Sequence, residues 1–226
     1  MKNRRLHFVG IKGTGMAALA RICYKLGYHV QGSDIATHFF TEDALRDLGI
    51  PISEFNANSI EDGMSVIVGN AFGDDHVEVL AAKNNDTVRV VRYHDFLGEI
   101  MSDYRTIAVS GSHGKTTTTT LLRDMLSYTK ETGYLIGDGR GDLVADDEYF
   151  AVEACEFRRH FLSYHPDVAI MTNFEIDHVD YFKSEADYLS AFEEFSQNVK
   201  ELLVVWGDDP HFSEMTFKPS VWTYGF

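Results

Sequence analysis

The sequence predicts an α/β protein with mostly parallel sheets, divided into two domains. Short apolar runs alternate with amphipathic helical stretches from end to end, the pattern of consecutive βαβ units. Twice an apolar run enters a glycine-rich loop that opens a helix, at residues 10–15 and at 111–117. The length, 226 residues, accommodates one or two domains at roughly 100 to 200 residues each.

Each element follows from local pattern. "LHFVG" reads as the first strand, and residues 14–26 as a helix with Met16, Leu19, Ile22, Cys23 and Leu26 on one face and Gly27 as its stop. "HVQGSD" is a second strand. Thr41 is placed to cap "EDALRDL", which Gly49 ends, while "MSVIVG" and "VRVV" are strands flanking the helix "HVEVLAAKNN". "HDFLGEIMS" is a short helix leading into "RTIAVSG", where a new series begins. The expected domains are therefore 1–103, Rossmann-like, and 104–226, P-loop-containing. In the second, a helix starts at Lys115, and "GYLIG", "YFAVEA" and "VAIMTN" are strands. Ser184 and Asp187 stand in capping-box spacing before "YLSAFEEF", and "ELLVVWG" and "VWTYG" are later strands.

Composition excludes several partners. Hydrophobic residues are 44% and charged residues 24%, ordinary for a globular chain. A net charge of -15 and a pI near 5.0 argue against nucleic acid or an anionic membrane, because a phosphate backbone needs a basic face. A chain of this charge that handles phosphates must hold them locally, by backbone amides, a lysine and a metal. The apolar run at residues 6–11 is broken by His7 and Gly10 and is too short for export or a membrane span, so a cytoplasmic protein is expected. Cys23 and Cys155 lack metal-ligand spacing and read as reduced core thiols.

The loop Gly111-Ser112-His113-Gly114-Lys115-Thr116-Thr117 has the strand-loop-helix context of a phosphate cradle. There glycines turn amides inward, Lys115 meets the β and γ phosphates of ATP, and the Thr116 hydroxyl ligates Mg²⁺. The spacing is GxxGKTT, shorter than GxxxxGK[ST]. The earlier loop, Gly10-Ile11-Lys12-Gly13-Thr14-Gly15, precedes an acid, Asp34, about 20 residues on, as in dinucleotide-binding folds. Its order is GxxGxG, and a tight structural turn explains it as well. Glu153 closes the strand "YFAVEA", a position suited to a magnesium carboxylate; a solvated strand-end acid is the alternative, and Glu156 a second candidate. Thr172 and Asn173 end another strand, and Asp177-His178 follow in a loop where histidine can meet a metal or phosphate.

Taken together, "HFVGIKGTGMAALA", "GSD", "SGSHGKTTTT", "VEACE" and "MTNFEIDHVDYF", in that order, resemble the Mur ligases of peptidoglycan synthesis, and most of all their alanine-adding branch of Gram-positive type. The resemblance spans essentially the whole chain. It implies that the first loop binds a UDP-sugar and the second ATP. Gly13, Thr14 and Gly15 would then approach the diphosphate, Ser33 and Asp34 the uridine, and Asn70 a further strand-end position. Gly111, Ser112, His113, Gly114, Lys115, Thr116 and Thr117 would hold ATP; Thr116, Glu153 and His178 would hold magnesium; Lys115, Glu153 and His178 would be catalytic. The implied reaction joins L-alanine to the lactyl carboxylate of UDP-N-acetylmuramate through an acyl phosphate, in the cell-wall synthesis that serves cell shape and division.

"EACEFRRHF" departs from the more acidic stretch of other branches, which directs Arg158, Arg159 and His160 toward sugar-nucleotide contacts. Family members also continue past this chain's last residue, so the resemblance implies an incomplete central domain, a missing C-terminal domain and inactivity alone. Two alternatives stay open: a module that binds UDP-sugar and ATP without ligation, and a related ligase that attaches a recycled peptide to the same sugar nucleotide.

Overall fold

The computed structural model describes residues 4–226; Met1, Lys2 and Asn3 of the basic start lie outside them. The chain divides into two compact units, 1–96 with 135–145, and 97–134 with 146–226.

The first unit carries a five-stranded sheet in the order β3-β2-β1-β4-β5. Its strands are β1 (Arg5–Val9), β2 (His29–Ser33), β3 (Ile52–Ser53), β4 (Ser65–Val68) and β5 (Arg89–Arg92), and the four pairings that join them are all parallel. Helices α1 (Thr14–Lys25), α2 (Phe40–Asp47), α3 (Val77–Lys83) and α4 (Tyr93–Met101) supply the connections, α4 running into the second unit. Helix α1 buries Met16, Leu19, Ile22 and Cys23, the face that the 3.6-residue period marks out, and Ala17, Ala18 and Ala20 as well, so residues 16–20 are enclosed on every side. Val9, Val66, Val68, Val79 and Ala82 form a core cluster between strands and α3. Strand order reverses between β1 and β4, so the residues leaving those two strands, Gly10 and Gly69, face the crevice where open α/β sheets bind ligands.

The second sheet runs β12-β11-β10-β6-β9-β7-β8, from β6 (Arg105–Ser110), β7 (Thr132–Leu135), β8 (Gly141–Asp142), β9 (Tyr149–Glu153), β10 (Val168–Met171), β11 (Leu202–Trp206) and β12 (Ser220–Tyr224). Central β6 pairs in parallel with β9, Val109 opposite Glu153, and with β10, Ser110 opposite Met171. The residues that follow these three strands therefore leave the sheet along one edge. Helix α5 (Lys115–Ser127) follows β6, and α6 (Glu185–Ser196) packs an aromatic face. Phe161 stacks on Phe195 at 4.5 Å, and Phe192 meets Phe174 and Tyr188 at 5.2 and 5.1 Å. As the capping-box spacing predicts, the Ser184 hydroxyl accepts from the Asp187 amide.

Several expectations change. Thr41 does not cap α2: the cap position is Phe39, without a side-chain bond, and the Thr41 hydroxyl instead donates to the Lys12 carbonyl. Tertiary demand from the glycine loop overrides the local preference. Cys155 is exposed while Cys23 is buried, and both are free; Cys155 falls in the loop after β9, where sheet burial ends. Residues 135–145 group with the first unit: Gly141 sits against Ala18 of α1, and Asp142 accepts Lys25 at 2.7 Å. Two-residue β3 and β8 are too short to leave a period in the sequence.

Candidate functional site

Of the six α-helices among the described residues, α2, α3, α4 and α6 have an acidic residue in the first turn, as helix dipoles favour. The two that follow glycine loops, α1 and α5, have none. In a chain with 35 acidic residues, those two first turns contain no carboxylate of their own, the condition under which helix-start amides can meet an anion.

In the first unit the loop after β1 opens onto a cavity of about 490 Å³. Gly13, Thr14, Gly15, Asp34 and Asn70, which the family resemblance directs toward a UDP-sugar, line it. Gly15 is required by a close approach: a Cβ there would lie 2.7 Å from the Tyr93 hydroxyl. Asp34 braces the loop, accepting the amides of Lys12 and Ile35 at 2.8 Å each. Ser33 does not line the cavity. Its hydroxyl turns into the core, donating to Glu78 and lying 3.3 Å from His7 Nε2, while its carbonyl accepts the amides of Gly10 and Ile11.

Sequence reasoning missed the aromatic wall of Phe39, Phe40, Phe72 and Tyr93. The signal was present: "THFF" runs from the loop after β2 into α2, "NAF" lies in the loop after β4, and Tyr93 directly follows β5. Lys12 also lines this cavity, but its ammonium is spent on Glu42 at 2.7 Å and on the carbonyls of Ile35 and Thr37 at 3.0 Å.

In the second unit Gly111 (φ 123°) and Gly114 (φ 82°) turn the loop; a Cβ on Gly111 would lie 2.2 Å from the Thr172 hydroxyl. The loop is fastened from β10's end. Asn173 accepts the His113 amide through Oδ1 at 3.0 Å and the Ser112 amide through its carbonyl at 3.1 Å. Thr172 and Asn173 both donate to the His113 carbonyl, at 2.6 and 3.0 Å. Two amides expected to face phosphate are thus committed to scaffold. The first-turn amides of 115–117, which have no intrahelical carbonyl to reach, remain for an anion. Ser112 Oγ also turns inward, 2.7 Å from the Tyr188 hydroxyl, and the His113 ring is exposed, 3.4 Å from Glu175.

Lys115 Nζ donates to the carbonyls of Gly111 and Ser112 at 2.6 and 3.0 Å and lies 3.0 Å from Glu156 Oε2. The Thr116 hydroxyl donates to Glu153 at 3.0 and 3.2 Å. Glu156, Asp177 and His178 each bring one ligand atom within 4.8 Å of the others. His178 Nε2 is 3.7 Å from Glu156, and its ring is 4.7 Å from Phe157. Hard oxygen donors with one imidazole fit a divalent cation. The structure thus separates the two sequence candidates: Glu153 partners Thr116, whereas Glu156 partners Lys115 and His178. Arg159 is tied to α6 through Asp187 and Glu194 at 2.9 and 2.7 Å.

Two glycine loops, each leaving a strand of a mostly parallel sheet and opening a helix, the second with a lysine, a hydroxyl and flanking carboxylates, define a two-unit α/β protein with the layout of a nucleotide-binding fold. Residues 5–105 match the Mur ligase family catalytic domain and residues 109–226 the Mur ligase middle domain. The chain belongs to the Mur ligase family, whose members are ATP-dependent amide ligases that use UDP-sugar substrates.

Solved structures agree. The UDP-N-acetylmuramate:L-alanyl-gamma-D-glutamyl-meso-diaminopimelate ligase of Neisseria meningitides is 26% identical, with TM-score 0.84 over 96% of this chain and 76% of that one. The UDP-N-acetylmuramate-alanine ligase of Thermotoga maritima is 31% identical, with TM-score 0.80 over 93% of this chain and 50% of that one. A murein peptide ligase of Psychrobacter arcticus is 26% identical, with TM-score 0.79 over 97% and 53%. The chain thus spans about half the length of the last two. Among the described residues no helix is long and apolar enough to cross a membrane.

Proposed function

We propose that this chain is the sugar-nucleotide-binding and ATP-binding part of a ligase that joins L-alanine to UDP-N-acetylmuramate. The observation that supports it is the convergence of Lys115, Thr116, Glu153 and the Glu156–Asp177–His178 cluster on the start of α5, whose own first turn contains no acid. In this reading the cavity beside Gly13–Thr14–Gly15 takes the UDP part, with Asp34 and Asn70 at its wall and Ser33 acting through its carbonyl. The Gly111–Thr117 loop takes ATP. Thr116 with Glu153, and Glu156 with His178, hold Mg²⁺, which supplies charge neutralisation for the phosphates.

The lactyl carboxylate attacks the γ-phosphorus, giving an acyl phosphate and ADP; the alanine amine attacks the acyl carbon and releases phosphate. Lys115 offsets charge where two anions meet, so the protein contributes electrostatics and positioning. No protein nucleophile is needed. The likeness to two peptide ligases supports a second reading, in which a peptide replaces alanine.

In the full-length gene product, Lys115→Ala is expected to abolish Mg²⁺·ADP binding in calorimetry, and the parent to bind UDP-N-acetylmuramate and not NAD. Tight NAD binding, or unchanged nucleotide affinity in the variant, removes this reading. Turnover with L-alanine against turnover with the tripeptide decides between the two ligases.

A further inference from the structure

Among the described residues, three non-glycine residues have left-handed backbone: Arg158 (φ 52°), Arg159 (φ 58°) and His178 (φ 53°). A side chain with a Cβ adopts that conformation at a cost, and such residues concentrate at functional sites. Phe157 links two of them. Its ring lies 4.7 Å from the His178 ring, and the Arg158 guanidinium carbon stands 5.4 Å over it.

The two arginines divide their work. Arg159 spends its fork on Asp187 and Glu194, as Arg46, Arg92 and Arg105 spend theirs on carboxylates elsewhere. That anchor holds the turn to α6. Arg158 is exposed, and its contact among the described residues is the Phe157 ring. Thirty-five acidic residues face twenty basic ones in this chain, so an arginine with no carboxylate partner, on a strained turn beside the His178 cluster, is kept for an external anion. A guanidinium on an aromatic shelf keeps its donors directed outward and suits bidentate oxyanion recognition.

We propose that Arg158 binds an oxyanion of the reactants, a phosphoryl oxygen of the nucleotide or the carboxylate of the acid substrate, with Phe157 as its shelf. This rests on the ligase reading above. It also separates Arg158 from Arg159, which acts as the anchor of the turn.

The test uses the full-length gene product, titrated separately with Mg²⁺·ADP and with UDP-N-acetylmuramate. Arg158→Ala is expected to weaken one of the two about tenfold or more, the size of a lost charge-assisted hydrogen bond. The ligand affected identifies the source of the oxyanion, and Arg158→Lys is expected to recover part of the loss. Arg158→Gly is expected to melt at or above the parent temperature, because glycine accepts positive φ freely, while binding as weakly as the alanine variant. Affinities within about twofold of the parent for both ligands in Arg158→Ala overturn the assignment and leave the ligase reading standing. A parent that binds neither ligand overturns both.

Discussion

Lys115 Nζ lies 3.0 and 3.3 Å from the two carboxylate oxygens of Glu156, and the Glu156 side chain is wholly buried. A buried carboxylate persists as an anion only with a paired cation or hydrogen-bond donors, so the lysine of the phosphate loop and the acid after β9 form one unit. Because Glu156 also faces His178 at 3.7 Å, the same carboxylate connects the loop lysine to the candidate metal cluster. Glu156→Gln keeps the shape and removes the charge. We predict that it raises the Mg²⁺ concentration needed for ADP binding by about tenfold or more, the range seen when residues supporting a metal site are lost. An unchanged magnesium requirement in a titration would remove Glu156 from the site.

Tyr188 reaches the phosphate loop from α6. Its ring is fully buried, and its hydroxyl is 2.7 Å from Ser112 Oγ, which also donates to the Glu175 carbonyl. Burial pushes the phenol far above its ordinary range against the opposing Ser112 bond, so it stays a neutral partner at any working pH. Tyr188→Phe is predicted to cost about 1 kcal/mol in urea unfolding and to weaken ADP binding more than UDP-N-acetylmuramate binding. Equal effects on the two ligands would make Tyr188 a purely structural residue.

The parallel α/β class and both glycine loops were legible because periods of two and 3.6 residues and glycine spacing are local properties. Which atoms face the ligand was not local. The inward turns of Ser33 and Ser112 depend on Glu78 and Tyr188, distant in sequence, and Asn173, just past the neighbouring strand β10, accepts the Ser112 and His113 amides. Glu153 closes β9 and meets Thr116, whereas Glu156, three residues on, is buried against Lys115, a difference that spacing does not decide. Lys12, read as part of a glycine loop, spends its charge on Glu42, thirty residues on, a pairing that no motif encodes.

The Lys12–Glu42 pair makes a stability prediction. Both side chains are nearly inaccessible, at 5% and 3% exposure, and the pair ties the loop to the segment carrying Phe39 and Phe40. Lys12→Met leaves Glu42 with Arg46 as its one remaining cation and is predicted to destabilise the chain by about 3 kcal/mol, the low end for breaking a buried pair. The Lys12 hydrogen bond, assisted by Arg46 and opposed by burial, holds the Glu42 carboxyl below its ordinary value of 4.5. A depressed folded pKa contributes stability above the unfolded value that disappears as pH falls through the folded one. Urea midpoints should therefore decline in acid below pH 4.5 in the parent, and decline less in Glu42→Gln. Matching acid profiles would show that the pair does not control this transition.

His211 gives the opposite sign. Burial disfavours its charged form, but Asp209 at 3.1 Å and Glu185 at 2.9 Å outweigh that and raise it above its ordinary 6.5. Asp209 at the same time accepts the Phe174 amide at 3.0 Å, so a protonated His211 draws the start of α6 toward the segment that follows Asn173. A raised folded pKa contributes stability that is full below the unfolded value and lost as pH rises through the folded one. The parent should lose stability relative to His211→Gln as pH rises above 6.5, by less than about 1 kcal/mol because the Glu185 contact is exposed. Because the contribution requires the imidazolium, a lysine, which stays charged across this window, is predicted to remove the slope while keeping the acid-side stability. A slope that survives in both variants would assign the pH dependence to another group.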